Sequence, residues 1–137
     1  MPSAAGYSGT PLSKKLGLKP ASRVLAIAAP DEYMSLLEPL PHGVVFERCP
    51  GPRVGIAHVF VREREELARN LASLRRKLKP DAAIWVSWPK KAAKVPTDVT
   101  EDVVRAVAFP LGLVDIKVCA VTEVWSGLKL VVRKELR

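Results

Sequence analysis

Three stretches of this sequence are apolar almost without interruption: Arg23 to Ala29 (RVLAIAA), Val54 to Val61 (VGIAHVFV) and Ala82 to Trp88 (AAIWVSW). Each has the length of a strand, and none alternates with polar residues. Such a strand is buried on both faces, as in a parallel sheet covered by helices. The segment between the second and third runs supplies one such helix. From Glu63 to Leu78 it places Leu67, Leu71, Leu74 and Leu78 on one stripe, and Pro80 stops it. Glu65 and Arg69 add an i, i+4 pair in the favourable order.

The remaining elements follow from turn and cap signals. Residues 1–9 are small and polar and are expected to be loose. Thr10-Pro11 reads as an N-cap and first helical position, with Gly17 as the stop. Asp31 to Glu38 allows one or two helical turns before Pro39, and Val44 to Glu47 a short second strand. Asp98 and Glu101 fit a capping box that opens a helix running to about Phe109. Val114 to Val121 and Leu128 to Arg133 read as two strands joined by the turn TEVWSG, close enough for a hairpin. Arg48 to Arg53 is too short for a crossover helix. The second and third strands are therefore joined by an extended crossing or are antiparallel. The expected fold is α/β: a single, mostly parallel, Rossmann-like sheet of about six strands, helices packed on it, and a C-terminal antiparallel hairpin. Residues 1–20 form an N-terminal arm with a short helix, and residues 21–137 a single α/β domain.

Composition narrows the function classes. The 137 residues suit one domain with a real core. No apolar run approaches the roughly 18 residues of a membrane span, and the first ten residues lack a secretory pattern. A cytoplasmic location is expected. The net charge of +8 is spread along the chain, densest at Arg75-Arg76-Lys77 with Lys79 and at Lys90-Lys91 with Lys94. It reads first as solubility, and second as weak attraction to nucleic acid, anionic lipid or an anionic metabolite. Cys49 and Cys119 stand in no CxxC motif, and with two histidines there is no metal-ligand spacing. His58, mid-strand, reads as a core histidine with its hydrogen bonds satisfied. No GxSxG elbow or evident nucleophile–base pair suggests a hydrolase.

From Val54 onward, the strand GIAHVFV, the helix ending LRRKLKP, the strand AAIWVSW, a further helix, GLVDIKV and the final GLKLVVRK resemble the distal half of a Rossmann-like S-adenosylmethionine-dependent methyltransferase. That resemblance implies an acidic, glycine-rich turn after the first strand, where backbone approaches the cofactor. Here the turn is Ala28-Ala29-Pro30-Asp31-Glu32, without glycine. Glu47, ending the second strand, matches the acid that holds the cofactor ribose. Over its whole length the chain also resembles a bacterial family of small uncharacterised proteins, the domain-of-unknown-function 3052 family. GYSGTPLSKKLGLKP, WVSWPKKAAKVPTDVTEDVVR and GLVDIKVCAVTEVWSGLKLVVR carry that likeness, and it implies no activity.

Ligands of open α/β sheets bind beyond the carboxyl ends of the parallel strands. That edge is expected to gather Asp31 and Glu32, Glu47, Ser87, Trp88, Lys90 and Lys91, with Trp125 and Ser126 from the hairpin turn. Aromatic faces stack on planar rings and lysines hold anions as point charges. The expected ligand is a small anion or a protein partner. The leading reading is a degenerate methyltransferase-like domain acting as a non-catalytic binding or interaction module, with no cofactor. The alternatives are an atypical S-adenosylmethionine-dependent methyltransferase and a weak nucleic-acid binder.

Overall fold

The computed structural model describes residues 10–137; the expectation for residues 1–9 lies outside the described residues. The six strands are β1 (Arg23–Ile27), β2 (Val45–Phe46), β3 (Ile56–Phe60), β4 (Ala83–Pro89), β5 (Leu113–Ala120) and β6 (Trp125–Val132). They form one sheet in the order β2-β1-β3-β4-β6-β5. β2, β1, β3 and β4 run parallel, and β6 pairs antiparallel with β4 and β5. The apolar runs thus occupy the three central parallel positions, where both faces need cover.

Helices supply that cover, two on each side. On one face α3 (Arg64–Lys77) and α4 (Glu101–Ala108) close over Leu25, Val59, Ile84, Val86, Leu128 and Leu130. Leu67, Leu71, Leu74 and Leu78 are all buried there, as the stripe predicts. On the other face α1 (Leu12–Leu16) and α2 (Tyr33–Leu37) pack on Val24, Phe60, Trp85 and Trp125. The buried Trp85 indole N–H donates to the Leu16 carbonyl (3.1 Å), pinning the N-terminal helix to the sheet.

Several boundaries differ from the sequence reading, each for a local reason. Pro11, not Thr10, precedes the first helical residue, and its carbonyl accepts from Lys14 and Lys15. Gly17 stops α1 in the left-handed region, as expected. Thr100, not Asp98, caps α4 by accepting from the Val103 amide. Asp98 serves α3 instead, its carboxylate accepting from the Arg64 amide (2.7 Å). β6 begins at Trp125 because the Thr122 hydroxyl accepts from the Val124 and Trp125 amides and tightens the hairpin turn. The open question about β2 and β3 resolves as an extended crossing, since both run parallel to β1 on its two sides.

Candidate functional site

Successive connections from β1 leave in opposite directions: β2 lies on one side of it and β3 on the other. That reversal makes the carboxyl ends of β1 and β3 a topological switch point, where helices cannot cover the sheet edge and a crevice is left. A pocket of about 420 Å³ occupies it, lined by Ala28, Ala29 and Pro30 after β1, Phe60 and Arg62 at the end of β3, Glu66 of α3 and Trp125 of β6.

Each wall has a local cause. Ala28 has φ 58°, the left-handed conformation a tight turn requires and glycine takes most readily. The turn adopts this conformation without a glycine, and the two small alanines leave the crevice open. Glu66 is the third residue of α3, and its carboxylate accepts from the Arg62 and Glu63 amides (3.3 Å each). This capping box fixes an acid at the rim beside the exposed Arg62. Phe60 and Trp125 meet edge to face at 5.0 Å and give an aromatic wall.

The residues singled out from sequence are distributed differently. Trp88 and Trp125 face opposite sides of the sheet, because they sit on adjacent antiparallel strands one register step apart. Trp88 and Lys91 line a second pocket of about 390 Å³ with Pro89, Thr97, Val99 and Thr100. Ser126 lies opposite Trp88 in the ladder, and the Lys90 amide donates to the Val124 carbonyl (2.6 Å). Asp31 and Glu32 are exposed in the turn before α2. Glu47 pairs with Arg23 at 2.5 Å, toward the start of β1, because the two-residue β2 ends well short of the carboxyl edge. The two pockets flank one edge, linked where the Thr97 hydroxyl donates to the Arg62 carbonyl (2.6 Å).

Ser87 belongs to a constellation the sequence order conceals. Its Oγ lies 2.7 Å from Nε2 of His58, whose Nδ1 lies 2.8 Å from the Tyr33 hydroxyl. The neutral ring donates at one nitrogen and accepts at the other. Both His58 and Ser87 are fully buried, and burial holds the imidazole down at about 3. So weak a base, with no route to solvent, does not activate a hydroxyl. The pair satisfies the core, which agrees with the expectation for His58.

Arg62, Glu66 and Phe60 are the pocket residues that sequence reasoning missed. Their signal was positional: they stand at or just beyond the end of β3, on the same edge rule applied to the other strands.

Comparison with solved structures identifies the architecture. A SAM-dependent methyltransferase from Aquifex aeolicus matches with a TM-score of 0.63 at 18% identity, over 87% of this chain and 87% of its own. The fold is Rossmann-like, of the methyltransferase type. A putative type 11 methyltransferase from Sulfolobus solfataricus gives 0.57 at 13% identity, over 82% of this chain and 85% of its own. Aeropyrum pernix fibrillarin, in complex with natively bound S-adenosyl-L-methionine, gives 0.57 at 10% identity, over 92% and 70%. At these identities the likeness is one of fold. No family model matches the chain, so the resemblance to the domain-of-unknown-function 3052 family is without support, and no curated protein matches it. Among the described residues, no helix is long and apolar enough to cross a membrane, and no group of three or more His, Cys, Asp or Glu residues could hold a metal ion.

Proposed function

We propose that this methyltransferase-type domain is an atypical S-adenosylmethionine-dependent methyltransferase whose cofactor lies in the pocket beside Pro30. The observation that carries this reading is the pocket's position, at the switch point between the carboxyl ends of β1 and β3. This replaces the leading expectation of a cofactor-free module with its alternative.

The residues present fit such a ligand in kind. Phe60 and Trp125, both largely buried and packed edge to face, give the pocket an aromatic side. The Glu66 carboxylate accepts from hydroxyl or ammonium groups, and the Arg62 guanidinium matches a carboxylate. The cofactor, when bound, supplies an electrophilic methyl group on a sulfonium. The chain's own part is to hold and orient, which makes the transfer effectively unimolecular.

Two features favour a second reading, that of a module that binds without catalysis. Pro30 brings no N–H to the turn, and Glu47 is engaged by Arg23, so two familiar handles for the cofactor are missing. Thermal shift and calorimetric titration with S-adenosylmethionine and its demethylated product distinguish the two. Saturable stabilisation is expected, with Kd raised about tenfold by Glu66→Gln. Absence of any shift with either compound at millimolar concentration would leave the interaction module as the better reading.

A further inference from the structure

A second cationic feature lies between α1 and the edge strand β5. There a pocket of about 520 Å³ is lined by Lys14 and Lys15 of α1 and by Lys117, Val118, Cys119 and Ala120 of β5. Beside the pocket, outside its lining, the register of the hairpin sets a fourth lysine. Lys117 and Lys129 are direct cross-strand partners, so their side chains leave the same face of the sheet. A Cβ placed on Gly17 would lie 3.9 Å from Lys129 Nζ, which puts that ammonium at the end of α1. The field of Lys15, Lys117 and Lys90 also reaches the half-buried Cys119 thiol, where it opposes the upward push of burial.

This arrangement sets like charges side by side. Like charges directly opposite in a ladder destabilise it. None of Lys14, Lys117 and Lys129 has an ion-pair partner among the described residues, where the ion pairs are made by Arg23, Arg105 and Arg133. The bulge at Ile116, between Asp115 and Lys117, shifts the β5 register and brings Lys117 opposite Lys129. The carboxylate of Asp115 is meanwhile held by Arg105 on the other side of the sheet (3.0 Å). Acid is thus withdrawn from the face that concentrates the lysines.

We propose that this pocket is a binding site for a polyphosphate chain, free or carried by a nucleotide. A single phosphate meets one or two ammonium groups, whereas a chain of phosphates matches cations spread over α1, β5 and β6. Lysine suits it as a mobile point charge that needs no fixed fork geometry. The site is separate from the pocket beside Pro30 and does not depend on the methyl-transfer reading.

The test uses the full chain and inorganic tripolyphosphate, with ATP and a random single-stranded oligonucleotide in parallel. Saturable one-to-one binding of tripolyphosphate is expected, weakened about tenfold by Lys117→Gln or Lys14→Gln and under twofold by Lys79→Gln, an exposed lysine elsewhere. Tighter binding of ATP than of tripolyphosphate assigns the chain to a nucleotide; equal binding assigns the phosphates alone. Thermal shift gives an independent readout. Without anion, Lys117→Gln melts higher than the parent because the cross-strand repulsion is gone, and tripolyphosphate raises its melting temperature less. The proposal is overturned by unsaturable binding, by an equal loss in Lys79→Gln, or by a melting temperature of Lys117→Gln below the parent's. It is also overturned if the oligonucleotide binds more tightly than tripolyphosphate through the same lysines, which marks a nucleic-acid surface.

Discussion

Ala28 shows how much one backbone angle sets at the edge. Its φ of 58° places an L side chain where glycine fits best, at the turn that opens the pocket. A left-handed alanine costs on the order of 1–2 kcal/mol, and the extra freedom of glycine in the unfolded chain offsets part of that. Ala28→Gly is therefore expected to stabilise the protein by roughly 0.5–1 kcal/mol in denaturant unfolding, an unusual sign for a glycine introduced beside a strand. A loss of stability would mean the turn depends on the alanine methyl. Ala28 was legible as a departure from a glycine loop, but its left-handed backbone was not. Glu47 shows the opposite limit. Its place after an apolar run suggested an edge acid, yet two residues of pairing in β2 stop it beside Arg23.

Among the elements, α3 and the three central strands were readable because each declares itself over many residues. The leucine stripe of α3 and the unbroken apolar runs are redundant signals, and one misread position does not change them. Single-residue caps carry no such redundancy. Asp98 and Thr100 both suit an N-cap, and the choice was made by the α3 amides that Asp98 reaches. The N-terminal helix is too short to stand alone and is held by packing. Its anchor is the Trp85 indole bonded to the Leu16 carbonyl. Trp85→Phe removes the donor and leaves that carbonyl buried, and about 2 kcal/mol of stability should be lost. Hydrogen exchange should accelerate in residues 12–18 well before α3. Uniform acceleration across the sheet would argue against a local anchoring role.

At the scale of the whole molecule, the buried Tyr33–His58–Ser87 chain links stability to pH. His58 in the fold sits at about 3, below its ordinary value near 6.5, because burial excludes its charged form. A depressed value means the stabilisation is fully present above about pH 6.5 and is lost as pH falls toward 3, by about 1.4 kcal/mol per unit. The groups facing the ring are the Tyr33 hydroxyl, the Ser87 hydroxyl and the stacked Phe60, none of which supplies a compensating negative charge in that range. Burial pushes the Tyr33 phenol up, so its contribution is present below about pH 10 and is lost above it. Denaturant melts should show a plateau between these limits. His58→Gln should flatten the acid slope while lowering the plateau; an unchanged slope would assign acid sensitivity to other groups.

The sequence by itself determined the layer architecture, since strands with two apolar faces and a one-sided helix have few ways to exclude water together. It also made the core identity of His58 legible and, once the strand directions are known, the edge at which a ligand is proposed. Only the tertiary structure decided what meets at that edge. Strand register, which side of the sheet a side chain leaves from, and the length of β2 are set by pairing between segments far apart in the chain. A shift of one residue moves a tryptophan to the opposite face. That is why Trp88 and Trp125 belong to two pockets, why Arg62 and Glu66 join Ala28 and Pro30 in one, and why Lys117 faces Lys129 across a ladder.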